Sequence, residues 1–454
     1  MNASFFSRER IVAPPGWSRW LVPPAALSIH LSIGAAYSWS VFKKPLEGAL
    51  HVSGTLSALP FTVGIVMLGL SAAVFGTWVD RNGPRAAMFV AMCCFCGGWL
   101  VGAAGLATHQ YWLVLLGYGL LGGIGWGIGY ISPVSTLMKW FPDKPGMATG
   151  LAIMGFGGGA LIASPWSTAM LGQFGIAKTF LVHGIVYAVF MSLGWLLVRV
   201  PRDDWKPHGW TPAPPTVGSL VSVGQVSANN AIKTPQFWLL WVVLCFNVTA
   251  GIGILEKASP IYQDFFPGGV AAGLAAAAAG YVALLSLSNM LGRIGWSSLS
   301  DVIGRKNAYR LYLGVGALLY LTITLMQNSN KVVFLIATML ILSFYGAGFA
   351  TVPAYLRDLF GTYEVGAIHG RLLTAWSVAG ILGPIIVNAI ADSQEAAGKS
   401  GPELYTLSFS IMIALLIVGL VCNELIKPVN DKWHEPTESV EDIDDIEVVE
   451  EAAR

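Results

Sequence analysis

Arg293 lies in the stretch YVALLSLSNMLGRIGWSSLSD (281–301), and no other charge occurs between Tyr281 and Ser300. A permanent cation in such a run costs roughly 2.5–3.5 kcal/mol to place at the centre of a bilayer. It must either pair with a carboxylate on another helix or bind an anion that comes and goes. Eight residues separate it from Asp301, which marks a helix end. At about 1.5 Å per residue that is about 12 Å of depth, near the middle of a hydrocarbon core about 30 Å thick. The other apolar segments offer only Glu256 and Glu424, both near segment ends, and Glu256 stands beside Lys257, its expected local partner. One turn before Arg293, position 289 is Asn rather than Asp. An anionic ligand is therefore the favoured partner, with an internal ion pair as the alternative. The planar guanidinium can offer a carboxylate two parallel hydrogen bonds.

The elements that must hold Arg293 are membrane helices. The chain of 454 residues is 55% hydrophobic and only 11% charged, and its mean hydropathy is +0.63. Soluble domains carry about 25% charged residues. Twelve segments suffice in length to span a bilayer: 20–42, 58–78, 86–106, 111–138, 147–171, 178–198, 236–258, 274–298, 308–326, 332–356, 370–391 and 404–426. The expected class is an all-α integral membrane protein with twelve transmembrane helices. Segments on the N-terminal side of this layout hold 19 Lys and Arg, the opposite loops hold 6, and Arg293 completes the 26. By the positive-inside rule both termini are cytoplasmic. The N-terminus carries no secretory signal pattern. The five cysteines all fall in apolar segments and read as small buried hydrophobes.

Residues 199–235 are polar and rich in Pro, Gly and Ser, and divide the chain into a first half (1–198) and a second half (236–426). The halves repeat. GTWVDRNGPR (76–85) aligns with SSLSDVIGRK (297–306), and GIGYISPVSTLMKWFPDKPG (127–146) with GAGFATVPAYLRDLFGTYEVG (346–366). A parallel repeat of six helices resembles the major facilitator fold, which implies a site at the midplane between the halves. The paired turns resemble that superfamily's loop motif: Gly76, Asp80, Gly83 and Arg85 in the first copy, Asp301, Gly304 and Lys306 in the second, with Ser297 in place of the leading Gly. Their expected role is conformational: a charged turn that clamps helix ends as the halves rock. Residues 427–454 hold nine acidic residues from Glu435 on and read as a disordered cytoplasmic tail.

A midplane cavity would be walled by aromatic residues: Tyr37 and Trp39 in the first segment, Tyr130 in the fourth, Phe156 in the fifth, Tyr345 and Phe349 in the tenth, and Trp376 in the eleventh. Asn289 joins them as the residue one turn from Arg293. Such a cage suits a very small anion. The Gly-x-Gly runs at 122–130 and 155–165 lack the strand context of a dinucleotide loop and read as helix-packing faces. His30 and His183 read as packing residues. No metal spacing, cofactor motif, nucleophile triad or nucleic-acid patch appears, so neither an enzyme nor a nucleic-acid binder is expected.

The quoted segments YSWSVFKKPL (37–46), VDRNGPR (79–85), KWFPDKPGMATG (139–150), KTPQFWLLW (233–241), GRIGWSSLSDVIGR (292–305) and HGRLLTAW (369–376) resemble the oxalate/formate antiporter family, and more distantly the monocarboxylate transporters. The resemblance implies a secondary carrier of small carboxylates in the bacterial cytoplasmic (inner) membrane. It would work by alternating access, through anion exchange or proton coupling, as a monomer and without cofactors. It places a carboxylate-gripping arginine on Arg293 and an aromatic cage on Tyr37, Tyr130, Tyr345 and Trp376. Oxalate-carrying members have a second cation, a lysine, where this chain has Trp376, and tyrosines where it has Phe156 and Phe349. One cation favours one carboxylate, so pyruvate, lactate or formate is expected, with a dicarboxylate or a neutral solute as alternatives. Glu256 is the expected proton site if protons are coupled.

Overall fold

A computed structural model describes residues 8–202, 205–211, 220–222, 224–268 and 271–436; the side chains of 8, 54, 55, 256, 271–276, 278 and 279 lie outside that description. Among the described residues the protein is helical throughout, with one isolated parallel bridge between Val12 and Val200. Eight helices are long and apolar enough to cross a membrane, and a bent pair makes a further span.

Two of these helices are hairpins. Gly54–Ala107 breaks at Gly83 (φ 79°), giving α2 (54–82) and α3 (84–107). Pro145–Leu197 breaks at Gly175 (φ 72°), giving α5 (145–174) and α6 (176–197). The other spans are α1 (Arg19–Ser38 with Ser40–Leu50), α4 (Tyr111–Trp140), α7 (Pro235–Glu256), α8 (Ala271–Ile303), α9 (Arg305–Met326), α10 (Lys331–Phe360), α11 (Val365–Ala396) and α12 (Thr406–Leu425). The twelve match the twelve segments expected, six before the connecting segment and six after.

Sequence chemistry explains the ends. Thr234 caps α7 by accepting from the Phe237 amide at 3.3 Å, ahead of Pro235 at the first helical position. Asn330 caps α10 by accepting from the Val332 and Val333 amides at 3.0 and 3.1 Å. Gly83 and Gly304 occupy equivalent turns in the two halves and both have positive φ, 79° and 85°. A residue with a Cβ would be strained there.

One expectation is corrected. The first span does not end near residue 42: it continues to Leu50 after a 57° bend at Trp39. The seventh ends at Glu256, within two residues of the expected bound, and a separate helix, Ala258–Phe265, follows. Apolar length marks the membrane core, but helices run on past it wherever local propensity permits.

The connecting segment is bound at both ends. Val200 exchanges backbone hydrogen bonds with Ile11 and Ala13, on the first half. On the second half, the Ser222 and Val226 amides donate to the carbonyls of Asp358 and Phe360. Gln225 accepts from the Thr362 and Tyr363 amides at 2.8 and 2.9 Å. The first residues of the segment read as a tail also pack here, against expectation. Gln236 donates to the carbonyls of Lys427 and Pro428. Glu435 accepts from Asn230 at 3.0 Å and from the Ser227 amide at 3.3 Å. Residues 437–454 lie outside the described residues.

Candidate functional site

The guanidinium of Arg293 is fully buried on α8. Glycines make its room: a Cβ on Gly157 of α5 would stand 3.0 Å from Arg293 Nε, and one on Gly346 of α10 would stand 3.0 Å from its Cγ. Arg293 Nε donates to Asn289 Oδ1 at 3.1 Å, one turn along the same helix. Nη1 donates to the Ile153 carbonyl of α5 at 3.3 Å. Nη2 has no partner. Among the described residues no carboxylate pairs with Arg293. Glu424, one of the two carboxylates considered, is engaged by Arg310 at 2.6 Å. Lys257, expected to hold Glu256, lies 3.8 Å from Asp392; the Glu256 side chain is outside the described residues, so that pairing is not described.

Around the guanidinium the aromatic side chains close a circuit. Tyr37 packs on Phe156 (ring centroids 5.1 Å), Phe156 on Tyr130 (5.5 Å) and Tyr130 on Trp376 (5.4 Å). Trp376 packs on Phe349 (4.2 Å) and Phe349 on Tyr345 (5.3 Å). The Tyr345 hydroxyl meets the Tyr37 hydroxyl at 3.0 Å and completes the loop. Arg293 Cζ stands 5.8 Å from the Phe156 ring and 5.4 Å from the Phe349 ring, within cation–π range. Its charge acts on the hydroxyls of Tyr37, Tyr130 and Tyr345. Five helices from both halves build this cage: α1, α4 and α5 from one, α10 and α11 from the other. Phe156 and Trp376, which face each other at 5.3 Å, occupy equivalent positions of the internal repeat.

The lining leaves polar groups unused. Arg293 Nη2, Tyr130 Oη, Trp376 Nε1 and His369 Nε2 are all buried without a hydrogen-bond partner. Each such group costs on the order of 1–3 kcal/mol. Nη2 of Arg293 and the unpaired groups of the cage residues Tyr130 and Trp376 are open to a ligand. His369 was not singled out by sequence reasoning, although it stands in the quoted HGRLLTAW. It lies 6.0 Å from Tyr130 by ring centroids.

One cage candidate is excluded. Trp39 sits within the first half, stacked on Tyr118 at 4.2 Å, and its Nε1 donates to the Ser57 carbonyl at 2.9 Å. It faces away because the bend in α1 begins at its own position. His183 is a packing residue, stacked on Trp166 at 4.0 Å and bonded to Ser167 at 2.8 Å.

The loop-motif residues sit on the face that carries the connecting segment, and each does the same thing in both halves. Asp80 accepts from the Ala367 amide at 2.9 Å and from Gly366, at the start of α11 in the opposite half. Asp301 accepts from the Gly146 and Met147 amides at 2.8 and 2.9 Å, at the start of α5 in its opposite half. A carboxylate at a helix N-terminus gains from both the free amides and the dipole. Arg85 donates to the carbonyls of Trp195 and Leu196 at the end of α6, and Lys306 to those of Glu424 and Ile426 at the end of α12. The carboxylates thus clamp one half to the other, while the cations fasten the last helix within each half. Gly76 permits the close crossing: a Cβ there would stand 2.7 Å from Ala367 Cα. In the second half Arg305 adds a bridge from Asp301 (2.6 Å) to Asp358 (3.2 Å).

Comparison with known proteins agrees with this architecture. The family description Major Facilitator Superfamily matches residues 25–384. The chain is 28% identical over 379 residues to the oxalate:formate antiporter of Oxalobacter formigenes, covering 82% of this chain and 85% of that one. It is 24% identical over 392 residues to the apicoplast pyruvate carrier 1 of Toxoplasma gondii, covering 74% and 69%. The crystal structure of the Escherichia coli fucose:proton symporter superposes with a TM-score of 0.65 at 14% identity, covering 90% of this chain and 99% of that one. The chain, a multi-pass membrane transporter and not an enzyme, belongs to the Major Facilitator Superfamily.

Proposed function

We propose that this protein is a secondary active carrier of small monocarboxylates, of the size of formate, lactate or pyruvate, working by alternating access. The observation that carries the reading is Arg293: a buried cation whose Nη2 makes no hydrogen bond of ordinary geometry, with no carboxylate partner among the described residues, inside a cage that includes Tyr130 and Trp376. A carboxylate at Nη2 would supply the missing charge and take hydrogen bonds from Tyr130 and Trp376. Both relatives named above are, by name, carriers of small carboxylates, which supports the same substrate class.

One cation matches one carboxylate. A dianion held by Arg293 alone would leave a buried charge unpaired, at a cost of several kcal/mol. On the positive-inside count the clamped face and both termini are cytoplasmic, and the resemblance to the oxalate/formate antiporter family supports the cytoplasmic membrane of a bacterium. The test is a thermal-shift and binding series on purified protein against C1–C6 mono- and dicarboxylates. Wild type should be stabilised by monocarboxylates. Arg293→Gln should lose that response while remaining folded. Arg293→Lys should be severely impaired, because a point charge cannot reproduce the planar fork. Unchanged uptake in Arg293→Gln would make the residue structural and end this reading. Tight oxalate binding by wild type would replace it with a dicarboxylate carrier.

A further inference from the structure

His30, on α1, is fully buried between the two helices that carry the cage residues Tyr130 and Phe156. Its Nδ1 faces the Ala152 carbonyl of α5, and its Nε2 faces the Tyr130 carbonyl of α4 at 3.1 Å. Both neighbours are acceptors. A neutral imidazole has one N–H and one lone pair, so it can satisfy only one of them. The other nitrogen then turns its lone pair on a carbonyl oxygen, in a place water does not reach. An imidazolium donates to both.

We propose that His30 is the proton-binding site of the carrier, and that it takes up a proton together with the carboxylate bound at Arg293. The inference rests on the carboxylate reading of Arg293. The chemistry balances simply: a proton adds to the imidazole nitrogen that bears the lone pair, and the resulting N–H donates to the carbonyl it faces. No other bond changes.

Coupling follows from the charges that face His30. Arg293 of α8 acts on it directly, and His369 of α11 is its titratable neighbour across the site. From α4 comes the ring of Tyr130, at 5.3 Å. From α5 comes no titratable side chain, since residues 145–176 contain none. No carboxylate among the described residues forms an ion pair in this region. In the empty site burial opposes a charge on His30 and the Arg293 cation adds to that opposition, while the two facing carbonyls favour the imidazolium. An anion on Arg293 removes the second opposition and sets a negative charge against the first. By linkage the effect is reciprocal: anion raises proton affinity, and proton raises anion affinity. The loaded site carries one extra negative and one extra positive charge, and so crosses the bilayer without net charge movement from its cargo.

The experiment is calorimetric binding of pyruvate or lactate to the full-length purified protein in buffers of different ionisation enthalpy, which counts protons taken up per anion. Wild type should take up about one. His30→Gln keeps a donor for the carbonyls but cannot carry the proton; it should bind the anion at least tenfold more weakly and take up none. His30→Asn serves the same purpose should the Gln variant fold poorly. Anion binding by wild type without proton uptake overturns this inference and leaves the carboxylate reading intact. Proton uptake that persists in the His30 variants, or that vanishes only in His369→Gln, also overturns it. Absence of carboxylate binding by wild type overturns the function reading, and this inference falls with it.

Discussion

At the scale of single residues, the proposed function makes selectivity rest on what surrounds one guanidinium. Arg293 Nη1 and Nε are engaged by protein groups, which fixes the plane of the fork and leaves Nη2 for a ligand. By the resemblance, Trp376 occupies the position where oxalate-carrying members have their second cation. Its indole, 4.2 Å from the Phe349 ring, offers one N–H and no charge. The double change Trp376→Lys with Phe156→Tyr should therefore weaken pyruvate binding and create measurable oxalate affinity. The gain should be modest, because two adjacent cations in a low-dielectric cavity repel each other when empty. Titration of both proteins with both ligands decides it; oxalate binding that stays undetectable in the double variant would show that more than charge is missing. A second change tests the space around the cation. Gly157→Ala puts a Cβ about 3.0 Å from Arg293 Nε and must displace the guanidinium. Monocarboxylate affinity should fall about tenfold, roughly 1.4 kcal/mol, with folding preserved. Unchanged affinity would mean that the observed orientation of Arg293 is not the binding one.

At the scale of elements, the carboxylate clamps between the halves make a testable gate. Asp80 and Asp301 each hold the first turn of a helix in the opposite half. A charge-assisted hydrogen bond of this kind is worth about 1.5–3 kcal/mol, while the crossing beneath them is glycine-to-backbone contact. Replacing both carboxylates, Asp80→Asn with Asp301→Asn, should shift the protein toward the state open on that face. The population change should be at least tenfold, since every ~1.4 kcal/mol is one decade. A cysteine at Ser297, buried at the α5–α8 crossing, reports it: its labelling by an impermeant maleimide from that face should speed up by the same factor. An unchanged labelling rate would assign the clamps to stability rather than to gating.

At the scale of the whole molecule, each half carries its own end of the connecting segment, and the second half also carries residues 427–435. The tail therefore has a structural part and a part outside the described residues. A chain stopped after Pro436 should keep wild-type melting temperature and uptake. A chain stopped after Ile426 loses the partners of Gln236 and Asn230 and should melt about 2–4 °C lower, the shift expected of roughly 1 kcal/mol in a large domain. Equal melting of the two truncated forms would show that these contacts add nothing.

The sequence by itself determined the class and the span count, and it named the six aromatic residues of the cage together with Trp39, which does not join them. Twelve apolar runs, a repeat of six and one buried cation are one-dimensional signals, because a bilayer constrains length and polarity locally. The pairing of Asp80 with Asp301, and of Arg85 with Lys306, was visible as an offset of the repeat; which helix end each one caps was not, since that depends on how the halves cross. Only the tertiary structure excluded Trp39, because the bend in α1 turns its indole into the first half. Only it gathered Tyr130 and Trp376 into the cage around Arg293, brought the unpaired His369 against Tyr130, and set two carbonyls against His30. Depth in the membrane is written along the chain, but direction around a helix is settled by what packs against it.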